Sequence, residues 1–324
     1  MRVGLLDVDS HNYPNLPLMK ISAYHKAKGD DVEMLIPLCR YDRVYVSKVF
    51  GSEYSADYEF MINADEVIEG GTGRAISVVN GKEVFDKSRD IDLPHEIEHI
   101  YPDYSLYPEL TNDKAYGFLT RGCPNNCPFC VVSKKEGRVS HKVADLSEFW
   151  HGQKMIELLD ANILACKERK ELLKQLADSG AKVNFMQGLD ARFITDDVAE
   201  LLSQINISMV HFAFDQMKNE KQIIKGLETW AKHSQKNYRE QIVYILTNFD
   251  TSYEEDMYRI KAVRELGYNP DVRIYRKNTA PKLTRDLQRW ANNRFIYQSC
   301  PDFMDYVPRK DGRTIKEIYF KEDE

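Results

Sequence analysis

LTRGCPNNCPFCVVS, residues 119–133, carries Cys123, Cys127 and Cys130 in the spacing CxxxCxxC. Three thiolates can ligate three irons of a cubane cluster, which leaves the fourth iron without a protein ligand, much as catalytic zinc sites keep one coordination position open. An open iron can bind a substrate or cofactor directly. Blander occupants have other requirements. A structural zinc site needs four ligands, usually as two Cys or Cys/His pairs, and the nearest histidines, His141, His95 and His99, are not at knuckle spacing. An electron-transfer site of the ferredoxin kind takes four cysteines per cluster, whereas Cys39, Cys166 and Cys300 are scattered singly. Packing of three inert core cysteines is the remaining alternative. The spacing favours the open iron–sulfur cluster.

Outward from this loop, strand and helix patterns alternate from Ala115 onward. YGFLT (116–120) is an apolar run leading into the cysteines, and MIELLD (155–160) is a second buried strand. KERKELLKQLADSG (167–180) has helical spacing with Gly180 as its stop. KVNFM (182–186) is a third strand, followed by the helix TDDVAELLSQI (195–205), for which Thr195 is the N-cap. SMVHFAF (208–214), a helix over 221–233, QIVYIL (241–246), the capped helix SYEEDMYRIKAVRELG (252–267) and DVRIY (271–275) complete the series. Six β/α units in sequence imply a parallel sheet with right-handed crossovers, either barrel-like or doubly wound.

The region before about residue 112 reads as a small α/β domain of the Rossmann-like, nucleotide-binding kind. RVGLLDVD is a strand, PLMKISAYHKAKG a helix, and DVEMLIP, RVYVSKVF and DEVIEGG are further strands. ISVVNGKEVF is a hairpin, because Asn80-Gly81 favours a two-residue turn. YPDYSLYPEL, with Pro102 and Pro108, is the linker. The expected divisions are residues 1–90, a linker over 91–112, a barrel over 113–280, and a helical segment and tail over 281–324.

The 324 residues suit one large or two modest domains. A formal charge of −6, from 45 basic and 51 acidic side chains, argues against a broad polyanion-binding surface, and nucleic acid is not indicated. Repeats, low-complexity tracts, a signal peptide and long apolar runs are not seen. The chain therefore reads as a cytoplasmic protein with reduced thiols and no membrane partner.

CxxxCxxC with an aromatic residue, here Phe129, before the last cysteine resembles the signature of the radical S-adenosylmethionine (radical SAM) enzymes. That family uses a partial (β/α)6 barrel, in line with the six units counted above. The resemblance implies a 4Fe-4S cluster on Cys123, Cys127 and Cys130, with S-adenosylmethionine chelated to the open iron and reductively cleaved to a 5′-deoxyadenosyl radical. It also implies an electron donor such as flavodoxin or ferredoxin. The substrate is unknown.

Active sites on such folds lie at the carboxyl ends of the strands. That rule, joined to the resemblance, selects Asp160 and Asn162 for the methionine end, with helix capping as the alternative. Gln187 follows the third strand, and the fork of Arg192 suits a carboxylate unless Asp190 or Asp196 pairs with it. Asp215 takes the place of an acidic residue on ribose hydroxyls, and Thr247 and Asn248 line the adenine pocket or form a turn. His211 reads as an interior histidine. Cys166 is a candidate hydrogen-atom donor at the mouth or a small packing residue.

An α/β domain before such a barrel also resembles the subgroup with a cobalamin-binding domain. Asp9-x-His11, Ser47-x-Val49 and Gly70-Gly71 follow its pattern in order, but Pro14 and Val49 depart from it. His11 would ligate cobalt with Asp9 orienting its ring. A methylthiotransferase is disfavoured, because the N-terminal part offers only Cys39. The readings are thus a radical SAM enzyme, a cobalamin-dependent radical SAM methyltransferase, and an iron–sulfur binding or sensor protein without turnover.

Overall fold

The computed structural model describes residues 1–79 and 82–320. It is a mixed α/β protein built on parallel sheets, and it divides into two compact units, Met1–Gln187 and Gly188–Glu324.

The first unit opens with β1 (Arg2–Asp7), α1 (Leu16–Ala27), β2 (Asp31–Met34), β3 (Tyr41–Ser47) and β4 (Ala64–Gly70). The strands form a parallel sheet in the order β2-β1-β3-β4. Val3 and Leu5 alternate into a core with Leu18 and Ile21 of α1, which is why this short apolar stretch forms a strand and not a surface loop. Asn15 starts α1 by accepting the Leu18 N–H at 3.3 Å, with Pro17 in the first turn. The chain leaves β1 to one side for β2 and returns to the other side for β3, so a topological switch point lies between the carboxyl ends of β1 and β3.

The antiparallel pair β5 (Ile76–Val79) and β6 (Lys82–Phe85) follows, as the sequence led one to expect. Asn80 and Gly81, the expected turn, lie outside the described residues. After α2 (His95–Glu98), the aromatic linker is tied to the first sheet and to the strand beyond it. Asp103 accepts Ser22 Oγ–H and Lys26 Nζ–H from α1, both at 2.6 Å, and Tyr107 donates its hydroxyl to Asp7 at 2.7 Å. Tyr104 donates to the Phe149 carbonyl at 2.7 Å and accepts the Tyr116 N–H at 3.0 Å.

Beyond the linker come β7 (Lys114–Gly117), β8 (Thr120–Arg121), α3 (Val132–Lys135), β9 (His141–Lys142), β10 (Met155–Leu158), α4 (Arg169–Ser179) and β11 (Lys182–Phe185). β7, β10 and β11 form a parallel sheet in the order β11-β10-β7. The run 116–120 is not one strand: it breaks after Gly117, and Thr120 and Arg121 pair instead with Lys142 and His141 of β9. Gly180 ends α4 in the left-handed conformation, as its position in the sequence required.

The second unit holds α5 (Asp196–Gln204), β12 (Val210–Ala213), α6 (Glu220–His233), β13 (Gln241–Thr247), α7 (Tyr253–Glu265) and β14 (Asn269–Ile274), then α8 (Lys282–Asn292), α9 (Arg294–Ser299) and α10 (Ile315–Tyr319). Its parallel sheet has the order β12-β13-β14. Along β13, Gln241, Val243, Ile245 and Thr247 are buried while Ile242, Tyr244 and Leu246 are half-buried, so one face is core and the other is more open. α8 closes the β14 edge through side chains: Asn292 accepts the Val272 N–H at 2.7 Å and Gln288 donates to the Val272 carbonyl at 2.8 Å. No helix among the described residues is long and apolar enough to cross a membrane.

Candidate functional site

The three cysteines lie in the loop between β8 and α3, beyond the carboxyl end of β7. Glu136, just after α3, accepts the Gly122 N–H at 3.0 Å and pairs with Arg121 at 2.8 Å, and the Cys123 N–H donates to the Gly137 carbonyl at 3.1 Å. The loop is therefore pinned at both ends. Gly122 has φ +86°, and a Cβ there would stand 2.2 Å from the Val139 carbonyl oxygen, so this position needs glycine for two separate reasons. The Cys130 N–H closes a turn on the Cys127 carbonyl at 3.0 Å. Lys135 of α3 donates to Thr72 Oγ1 at 2.5 Å, which docks the helix after the cysteines onto the turn following β4, and burial pulls its ammonium below the usual lysine range.

Among the described residues, no three or more His, Cys, Asp or Glu side chains converge as they would on a single ion. Thiolates on one tetrahedral ion, at a metal–sulfur length of about 2.3 Å, sit about 3.8 Å apart, whereas a cubane gives each thiolate a different iron and spreads them further. Three thiols of one short loop, partly exposed, are a donor set suited to the latter.

Asp160 and Asn162 follow β10, and both are buried. Asp160 accepts hydrogen bonds from Leu119 N (3.0 Å), Thr120 N (2.6 Å) and Thr120 Oγ1 (2.5 Å), so its carboxylate holds the chain between β7 and β8 in place. Burial pushes its pKa up to about 6, against those hydrogen bonds. Asn162 caps the short 3-10 turn Ile163–Ala165, accepting the Ala165 N–H at 3.2 Å, while its Nδ2 donates to Cys123 Sγ at 3.7 Å. Asp160 thus caps no helix and braces the segment between β7 and β8, whereas the capping alternative describes Asn162, which adds a contact with the first cysteine. That contact sets the cysteine loop over the carboxyl end of β10.

Cys166 fits the packing alternative of the two read from the sequence. Its side chain is fully buried, not open at a mouth, and its thiol donates to Glu168 at 3.1 Å. Burial and the neighbouring carboxylate raise its pKa to about 11, which keeps it a neutral thiol, packed as a small group.

In the second unit, Arg192 makes a two-pronged pair with Asp190, at 2.8 and 2.7 Å, which is the salt-bridge alternative of the sequence reading. Asp215 follows β12 and accepts the Leu246 N–H at 3.1 Å; burial raises its pKa to about 6. Thr247 is fully buried, and Asn248, at φ +60°, donates to the Tyr275 carbonyl at 2.8 Å, a turn role. His211 is half-buried and stacks on Tyr244 with ring centres 5.2 Å apart. Gln187 is exposed and Phe129 half-buried.

Arg259 of α7 was not singled out by the sequence. It is fully buried, donating to the Phe214 carbonyl at 2.7 Å and the Leu246 carbonyl at 2.8 Å while paired with Asp256. It clamps the carboxyl ends of β12 and β13, where Asp215 and Thr247 sit. Its only sequence signal is an Asp three residues before an Arg, which occurs on any solvated helix. Glu136 was missed for the same reason.

At the switch point of the first sheet, Asp9 does not orient His11. Its two oxygens accept the Val49 and Phe50 N–H groups at 2.6 and 3.0 Å, holding the loop after β3. His11 is exposed, at φ +52°, with its ring 6.2 Å from that of Phe50. Asn15 Nδ2 donates to Ser10 Oγ at 3.0 Å and Ser47 Oγ at 2.9 Å, tying the ends of β1 and β3 together. Beside them lies a cavity of about 460 Å³ lined by Asp7, His11, Tyr54, Asp57, Tyr58 and Phe60 among others. Lys48 pins one wall by donating to the Ser55 and Ala56 carbonyls at 3.0 and 2.9 Å.

No family model matches the chain, and no curated protein matches it either. Among solved structures, it is similar to a radical S-adenosylmethionine methyltransferase, TsrM, from Kitasatospora setae, determined with cobalamin and a 4Fe-4S cluster bound. The similarity covers 84% of this chain and 74% of that one, with a TM-score of 0.57 and 12% identity. At that identity the likeness is one of fold.

Proposed function

We propose that the chain is a radical SAM enzyme that holds a 4Fe-4S cluster on Cys123, Cys127 and Cys130. The observation that carries the reading is the contact from Asn162, at the end of β10, to Cys123: it fixes a three-cysteine loop over the carboxyl end of a parallel sheet, where such folds do their chemistry. A cluster bound there supplies one electron that cleaves S-adenosylmethionine to methionine and a 5′-deoxyadenosyl radical, which acts on an unknown substrate. The protein's part is to hold the loop through Glu136 and Asp160 and to bind and orient. Asp215 is the residue proposed for the ribose of S-adenosylmethionine, with Gln187 and Phe129 as further contacts, while Arg192, Thr247 and Asn248 are engaged by the protein itself. The six β/α repeats are proposed to make up a partial (β/α)6 barrel, and a flavodoxin or ferredoxin to deliver the electron.

Anaerobic reconstitution with iron and sulfide, then dithionite with S-adenosylmethionine, tests this. The expected products are 5′-deoxyadenosine and methionine, and replacement of the three cysteines by alanine abolishes cluster assembly. A fully loaded protein that releases neither product is not this enzyme.

The fold likeness to a protein bound to cobalamin favours a second reading, a cobalamin-dependent radical SAM methyltransferase. His11 is available beside the 460 Å³ cavity to meet a cobalt ion, but the expected orienting partner, Asp9, is turned elsewhere. Incubation with hydroxocobalamin and desalting, followed by an absorbance spectrum, distinguishes the two: retained cobalamin that is lost in His11→Ala supports the methyltransferase.

A further inference from the structure

We propose that Asn162 is a positioning residue for the iron–sulfur centre: its side-chain amide donates an N–H···S hydrogen bond to Cys123 that raises the reduction potential of the centre. The inference rests on the cluster reading above and concerns one residue's effect on it. Which end of the amide meets the sulfur is set by its other contact. Oδ1 accepts the Ala165 N–H at 3.2 Å, so Nδ2 is the atom turned toward Cys123 Sγ, 3.7 Å away. The backbone is held as well, because the Asn162 carbonyl accepts the Ser140 hydroxyl at 2.8 Å. At 4% exposure, the Asn162 side chain is held by the protein and not by solvent. Rotating the amide away would break the cap.

Cluster potentials respond to hydrogen bonds at the sulfurs and to solvent exposure. Reduction by dithionite adds one electron, whose charge is shared between the irons and the thiolate sulfurs. An N–H donor is attracted more strongly to the more negative sulfur, so it stabilises the reduced state over the oxidised one.

Two variants separate this effect from a merely structural one. Asn162→Ser keeps an oxygen able to cap Ala165 and removes the amide donor. Asn162→Asp keeps shape and cap and puts a negative group near the sulfur. Potentiometric titration of the reconstituted full chain, read by electron paramagnetic resonance, is the measurement. At a fixed ambient potential, the reduced-to-oxidised ratio is expected to fall roughly three- to tenfold in N162S, tenfold being about 59 mV for one electron, and further in N162D. Variants that hold wild-type iron and sulfide and titrate with the wild type overturn the inference. A second measurement uses the unaltered residue: in protein labelled with 15N-asparagine, the reduced cluster should show, beyond any coupling from Asn125 and Asn126 of the loop, a nitrogen hyperfine coupling that is lost in N162S. A wild-type cluster without that coupling also overturns it. Should the wild-type chain take up no iron and sulfide at all, the cluster reading itself fails, and this inference falls with it.

Discussion

A carboxylate that accepts three hydrogen bonds and yet titrates near pH 6 is caught between opposing effects, and at Asp160 burial is the larger. Its folded pKa lies above the unfolded value of about 3.9, so between about pH 4 and 6 the folded chain binds the proton more tightly. This group's contribution to stability is therefore greatest below pH 4, declines as pH rises through that window, and is lowest above about 6. Asp160→Asn removes the titration. Urea unfolding at several pH values should show the wild type gaining on D160N as pH falls from 6 to 4, by up to about 3 kcal/mol at about 1.4 kcal/mol per pKa unit. A constant difference across that range would mean that Asp160 does not titrate there. The sequence marked Asp160 and Asn162 correctly as strand-end residues. Their partners, the Leu119 and Thr120 amides and Cys123, lie about forty positions away and follow only from the register of β7 against β10. At Cys166 the packing alternative describes the side chain: four residues past Asn162, the chain turns inward, and spacing alone gives no sign of that.

At the scale of elements, legibility depended on how local the signal was. α7 carries a full capping box, with Ser252 N–H donating to Glu255 and Glu255 N–H to Ser252, and its start was readable from those two residues alone. The β8–β9 pair and α3 were not readable, being two to four residues long and dictated by the cysteine loop they support. Two substitutions separate these kinds of element. Ser252→Ala should cost about 1 kcal/mol in denaturant unfolding and leave iron and sulfide content unchanged. Gly122→Ala meets both a left-handed backbone and the Val139 carbonyl, so it should lower retained iron after reconstitution and gel filtration even where the far-ultraviolet spectrum is native. Full iron content in G122A would show that the loop tolerates a different backbone path.

For the molecule as a whole, the alternation of β and α was legible because buried parallel strands are continuous apolar runs and the helices between them carry caps and glycine stops. The N-terminal sheet was legible for the same reason, but the use of its switch point was not. Asp9, His11 and Ser47 sit where a ligand pattern would put them, while Asp9 and Ser47 are bonded to the protein itself. Bonds of the same kind decide how the first unit would respond to the proposed cluster. Cluster binding stabilises only what folds with its ligands. The ligand loop is joined through Glu136 to Gly122, through Asp160 to the end of β10, and through Lys135 to Thr72 beside β4. Amide hydrogen exchange of the apo and reconstituted protein should therefore show added protection at residues 119–137, at 155–162 and at the turn 70–75, with β12–β14 changed far less. Thr72→Val removes the hydroxyl that receives Lys135, and it should abolish the gain at 70–75 while leaving that at 155–162. Equal gains at both segments in T72V would show that cluster loading reaches the N-terminal sheet by another route than α3.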